Sequence, residues 1–184
     1  QETEKIIQQL LKERSTNIGI QFAPTSSLVD IKEFEHTNFR TPELYFGYKF
    51  AQNRNQLGSQ EGFQPGKIVT YLDQSNIELH KFYLTGEWKN NKDSMELISE
   101  TGTIKLLYNA KEVNIVTDNN AELEIFLDEH PLPSEYAGKD TTDKGIIVSE
   151  AGLYNIINSE NSASHQMEII ITGKGFQMFT FTFG

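Results

Sequence analysis

The sequence contains no cysteine. That excludes disulfides, cysteine-based zinc sites and a thiol nucleophile within these residues, and it leaves the redox compartment open. Positive charge is scarce. Sixteen Lys and Arg face 26 Asp and Glu, for a formal net charge of -10. The basic residues are scattered, so no patch exists to displace counterions from a phosphate backbone, and nucleic acid is not an expected partner. An anionic membrane surface is disfavoured for the same reason, whereas neutral ligands and basic partner proteins stay open. No apolar run approaches the roughly 18 residues that a membrane-spanning helix needs. There is no signal peptide, and the first residue is Gln1 rather than methionine. The expectation is a processed product or a fragment whose address segment lies elsewhere.

What is present falls into three stretches. Residues 2–13, ETEKIIQQLLKE, read as an amphipathic helix with Ile6, Ile7, Leu10 and Leu11 on one face. Acidic residues open it and Lys12 and Arg14 close it, as the helix dipole favours. A helix this short is marginal alone and needs a surface to lie on. Residues 15–40 carry no period and read as an extended linker, with a short strand at 18–22. A segment rich in rings follows, with Tyr45, Phe46, Tyr48 and Phe50, before a Gln-, Asn- and Gly-rich excursion.

From residue 67 the pattern changes to short strands, at 67–72, 78–88, 95–99, 103–110, 112–117, 122–128, 145–150, 152–157, 165–172 and 176–183. Alternation is clear in GTIKLLYNA, where Ile104, Leu106 and Tyr108 share a face, and in AELEIFLDE, where Leu123, Ile125 and Leu127 do. The last strand is apolar on parts of both faces, which suits a central position. Short strands separated by turn residues, without helical pattern between them, predict an all-β antiparallel sandwich.

The motifs TPELYFGY (41–48), LTGEWK (84–89), IKLLYNAKEVNIVTD (104–118), SEAGLY (149–154) and the closing FTFG (181–184) resemble the C-terminal module of the DipZ-type thiol–disulfide interchange proteins. Ala110 and Val113 match an A-x-x-V element of that family, while Glu129-His130-Pro131 departs from its D-G-x-P turn. The resemblance implies a jelly-roll module similar to carbohydrate-binding modules (residues 41–184), a linker (15–40) and, at 1–14, the last helix of a thioredoxin-like domain. It also implies an extracytoplasmic location and an attached thioredoxin-like domain as partner. The family's redox C-x-x-C motif has no counterpart here, so oxidoreductase activity is not carried onto these residues.

The residues themselves offer little chemistry. His36, His80, His130 and His165 show no metal-ligand spacing. Asp118-Asn119-Asn120 and the acidic 140–143 segment could supply oxygens to calcium, but turn chemistry accounts for both. No nucleophile elbow and no phosphate-binding loop is present. The expectation is no catalytic residue, no metal and no cofactor. For neutral sugars, an exposed ring and amide groups would suffice, which makes Trp88, Tyr83, Tyr108, Asn90 and Asn91 the candidate ligand set for a glycan or cell-envelope component. Against it, a tryptophan in a sandwich strand is commonly core. Tyr45, Phe46 and Tyr48, with Ile6, Ile7, Leu10 and Leu11, form the candidate interface set. The three rings would anchor the linker against the sandwich or against the thioredoxin-like domain, and the helix stripe would seek cover, on a second copy in a homodimer for one.

Overall fold

The computed structural model describes residues 6, 7, 9–11, 13, 14 and 40–184. Two compact units result, Gln1–Thr37 and Asn38–Gly184. In the first, the described residues are helical, and Ile6, Ile7, Leu10 and Leu11 are 43% to 58% exposed. The remainder of the expected helix, the strand at 18–22, His36 and all of the linker except Arg40 lie outside the described residues.

The second unit is all-β apart from two short helical turns. Its strands are β1 (Leu44–Tyr45), β2 (Ile68–Tyr71), β3 (Phe82–Asn90), β4 (Met95–Leu97), β5 (Thr101–Asp118), β6 (Ala121–Leu127), β7 (His130–Pro131), β8 (Ile146–Val148), β9 (Gly152–Thr172) and β10 (Gln177–Phe183). A four-residue helix α1 (Tyr48–Ala51) follows β1, and a 3-10 turn (Ser134–Tyr136) follows β7. Every pairing between these strands is antiparallel.

Two long strands organise the unit. β5 and β9 pair from Thr101↔Thr172 to Thr117↔Gly152. The other edge of β5 is divided between two neighbours: its first half pairs with β3, Phe82↔Leu106 to Thr85↔Thr103, and its second half with β10, Val113↔Phe183 to Asp118↔Gln177. β4 then joins β3 to β10 through Trp88↔Leu97 and Met178↔Met95. The pairings β3–β4–β10–β5 thus close on themselves. The free edge of β9 takes β6, whose far edge takes β7 and β8.

Alternation selects the core. Ile104, Leu106, Ile169, Ile171, Leu123 and Ile125 are buried on paired strands, while their neighbours in sequence are more exposed. Each such side chain contributes about 1.5–3 kcal/mol on leaving water. These residues join Val113, Ile115, Met178 and Phe181 in one hydrophobic cluster.

Two departures from the sequence reading meet at one irregularity of the β5–β9 pair. The segments 103–110 and 112–117 are one strand, with a register shift between Ala110 and Glu112. The lost alternation there marks a register break, in which Lys111 on β5 stands against residues 159–162 on β9, and not a turn. The polar run 158–164, between two expected strands, lies within β9. Its middle arches out between Asn158 and Ala163, held by Ser159, whose hydroxyl donates to the Lys111 carbonyl at 2.9 Å. A second shift in the same pair falls between Val113 and Asn114, and a shift in β10, between Met178 and Thr180, lets Met178 and Phe181 both reach the core although three positions separate them. β10 has partners on both edges, as its two-sided apolar pattern predicts.

Candidate functional site

The candidate ligand set does not form a surface. Trp88 is fully buried, because its position on β3 points into the same layer as Leu84 and its indole N–H is satisfied internally by the Thr85 carbonyl at 3.0 Å. Gly102 on β5 provides the room, since a Cβ there would meet Leu97 and would come within 3.1 Å of the indole ring. Tyr83 is buried as well; its ring occupies the space left by Gly58, and its hydroxyl accepts the Glu78 N–H at 2.9 Å. Tyr108 is buried beside Phe183, and burial pushes its hydroxyl pKa up, helped by the charge on Asp128.

Asn90 has no exposed surface. Its side-chain oxygen accepts from the Gln64 N–H at 2.9 Å and from the Tyr71 hydroxyl at 3.0 Å, so it ties the 56–66 loop to β2 and β3. The Tyr71 hydroxyl is itself pushed up to about 12, chiefly by burial. Asn91 is half-buried and donates to Glu96 at 3.0 Å. The ring-stacking role expected for Trp88, Tyr83 and Tyr108, with Asn90 as a polar partner, is therefore corrected: these are packing and loop-anchoring residues. The rule that inward strand positions bury their rings outweighs the polar sequence around Trp88.

Rings reach the surface instead around β1 and α1. The first helical N–H groups have no partner within so short a helix, and those of Tyr48 and Lys49 donate to the carbonyls of Asn91 and Lys92 at 3.3 and 3.0 Å. This fixes α1 with only Ala51 buried. Phe46 belongs to the core, stacked on Phe82 at 3.9 Å between ring centres, which removes it from the candidate interface. Tyr45 and Tyr48 are half-buried and Phe50 is 46% exposed. Phe50 lies 5.9 Å from Tyr45, Lys49 sits over Phe50 at 5.2 Å and Arg54 over Tyr45 at 5.0 Å. Cations over ring faces hold such a patch in shape. The Tyr45 hydroxyl donates to Glu43, and that bond, with burial and the carboxylate's charge, raises its pKa.

One further cluster joins β9 to the β6–β7 turn. Asp128 and Glu129 both have positive φ, 51° and 67°, as a two-residue hairpin turn of the mirror-image type requires. The Asp128 carboxylate accepts from His165 Nδ1 at 2.7 Å and from the Gln166 N–H at 2.9 Å. His130 Nδ1 lies 2.7 Å from the Asp128 carbonyl, and Tyr136 meets His165 edge-on at 5.5 Å. Burial pulls the Asp128 pKa up, but the two hydrogen bonds and the nearby His165 and His130 outweigh it, and the net shift is downward. Through these two bonds Asp128 ties the β6–β7 turn to β9. At the two calcium candidates, Asn119 donates to Gly175 O and Asp140 accepts from the Asn155 N–H, both at 2.7 Å, which ties each segment to a distant part of the chain. His80 accepts or donates at Thr41 Oγ1, 2.9 Å away, and burial lowers its pKa.

Residues 41–184 match the family described as the thioredoxin-like C-terminal domain. The chain belongs to that family. It is also 26% identical, over 182 residues and 99% of its length, to Protein DipZ of Mycobacterium bovis and equally to Protein DipZ of Mycobacterium tuberculosis. The chain spans 24% of the length of each of these relatives. The resemblance to the C-terminal region of DipZ-type proteins, read from TPELYFGY, LTGEWK and FTFG, is borne out. Within this family member, no helix among the described residues is long and apolar enough to cross a membrane.

The sequence reading missed Phe50 and Arg54 as surface groups and the Asp128–His165 pair altogether. Phe50 had a signal, since it sits in the same ring-rich run as Tyr45. The pair had none, because 37 residues separate its members.

Proposed function

We propose that this chain is the non-catalytic accessory module of an extracytoplasmic thiol–disulfide interchange protein. In this reading the antiparallel strands form a jelly-roll sandwich over residues 41–184, residues 1–14 belong to the thioredoxin-like domain, and 15–40 link the two. The module works by packing its Tyr45, Tyr48, Phe50 and Arg54 patch against the thioredoxin-like domain and limiting which substrates reach it. The single observation that carries the reading is the place of Phe50: among the described residues it is the one Phe, Tyr or Trp ring that is exposed, it lies ten residues from the linker beside Tyr45, and Trp88, Tyr83 and Tyr108 are interior. In the full-length parent protein, NMR relaxation should find the two domains tumbling as one body. The double change Phe50→Ala and Arg54→Gln should release them and alter the rate of protein-disulfide reduction. Independent tumbling of the unaltered domains sinks the proposal.

Glycan recognition is the second reading. What favours it is the sheet face turned away from the core, where Thr85, Thr103, Lys105 and Glu168 are half-buried and the Asn109 side-chain oxygen is buried without a hydrogen-bond partner. Sugar hydroxyls would satisfy such groups. Calorimetry with neutral oligosaccharides at millimolar concentration decides it, and an absence of heat removes it.

A further inference from the structure

A groove of about 820 Å³ runs along the far edge of β6. β7 pairs with β6 at Phe126 and Leu127, and β8 pairs with it at Ala121 to Leu123. Between them the Ile125 carbonyl accepts the Leu132 N–H at 3.0 Å. The backbone edge is therefore largely used, and what remains to a ligand is side chains. Phe126, Pro131 and Leu132 give an apolar floor, and Glu122, Glu124 and Asp143 bring negative charge to the lining. None of the patch residues around Tyr45 takes part.

The polar groups of the lining are mostly acceptors. Thr141 Oγ1 already donates to the Ile156 carbonyl at 2.9 Å, and Thr142 Oγ1 to the Gly145 carbonyl at 2.8 Å. Thr142 Oγ1 also accepts the Lys144 N–H at 3.2 Å, and the capacity that remains to the two hydroxyls is lone pairs. Glu122, Glu124 and Asp143 form no ion pair among the described residues. Lys144 is the one cationic side chain in the lining. A lining of acceptors around a greasy floor rejects anions and suits a ligand rich in N–H donors. Its spacing is specific. Glu122 and Glu124 are two apart on one strand face, about 7 Å between Cα atoms, which is the repeat of alternate side chains in an extended peptide. Ile147, the register partner of Glu122, is 71% exposed, so an apolar contact flanks the charges.

We propose that this groove binds an extended polypeptide segment with Arg or Lys at alternate positions and an apolar residue beside them, recognised through side chains and not by strand addition. Charge complementarity selects this occupant: the lining is acidic, and so is the whole chain, with a net charge of -10.

The test titrates the full chain, Gln1–Gly184, with an N-acetylated, C-amidated peptide alternating arginine and serine and ending in leucine. Amide NMR shifts supply the readout. Saturable shifts are expected within 122–126 and 141–145. Affinity should fall roughly five- to tenfold in the Glu122→Gln, Glu124→Gln double variant and should drop again as salt is raised. Lys144→Gln should bind more tightly than the unaltered chain, a direction that damage to the fold would not produce. Three comparison ligands bound the claim: the same peptide with citrulline for arginine, spermine, and a neutral oligosaccharide. Equal binding of the citrulline peptide overturns the charge argument. Spermine binding as tightly as the peptide makes this a polyamine site and overturns the peptide. A sugar shifting the same amides more strongly, or no shift at millimolar peptide, also overturns it.

Discussion

Two sets of aromatic residues differ only in where the chain puts them. Trp88 and Tyr108 lie in long strands with neighbours on both edges, so an inward position leaves a ring nowhere to go but the core. Tyr45 and Phe50 lie in a two-residue strand and a four-residue helix at the border of the sheet, where the same kind of ring stays half in water. Ring content is thus a poor guide to a binding face. The length and pairing of the element that carries the ring decides what it does. In this molecule Glu87 and Lys89, the neighbours of Trp88, point outward while Asn90 is as buried as the indole, so the polar company in LTGEWKNN says nothing of the ring itself.

That contrast can be broken experimentally. The largest effect should come from Trp88→Ala, expected to cost about 3–5 kcal/mol in urea unfolding. A loss under 1 kcal/mol would mean that the indole is not core. Next, Asp128→Asn should cost about 1 kcal/mol at neutral pH, an amount kept small because the carboxylate is half exposed. The sign with pH follows from the lowered pKa of Asp128. A carboxyl whose folded pKa is depressed adds stability that is present above its unfolded value, near 3.9, and is lost as pH falls through the folded value. The difference between the unaltered protein and Asp128→Asn should therefore shrink in acid. A constant difference from neutral pH down to pH 2 would show that the charge contributes nothing. Glu129→Gly should stabilise by about 0.5–1 kcal/mol, because φ at Glu129 is 67° and glycine adopts it without a Cβ penalty; a melting temperature that falls would contradict the turn geometry. Phe50→Ala comes last, with a change within about 0.5 kcal/mol. A loss near that of Trp88→Ala would erase the distinction between the two sets.

Much of the fold was legible because period-two patterning is a local signal. The faces of β5 and β6 could be read from Ile104, Leu106, Leu123 and Ile125. The merging of 103–110 with 112–117, and of 152–157 with 165–172, was not legible. A bulge and a turn both interrupt alternation, and only the partner strand distinguishes them. The candidate site was less readable still. Burial of Trp88 depends on the absent side chain at Gly102, and that of Tyr83 on Gly58, each on a different segment. Glu122 and Glu124 looked like the ordinary outward face of a strand, and only the arrival of Leu132 and the 141–145 segment makes a groove of it.

The β5–β9 pair runs the full length of the unit, one half of β5 serving β3 and the other serving β10. Opening of either half strips a shared strand from the other, which favours opening of both together. Amide protons near Ile104 and near Ile115 should exchange with solvent only through the same whole-molecule opening, with equal protection despite their separation. A module built on one shared pair of beams should then resist limited proteolysis within either half until the whole unit opens.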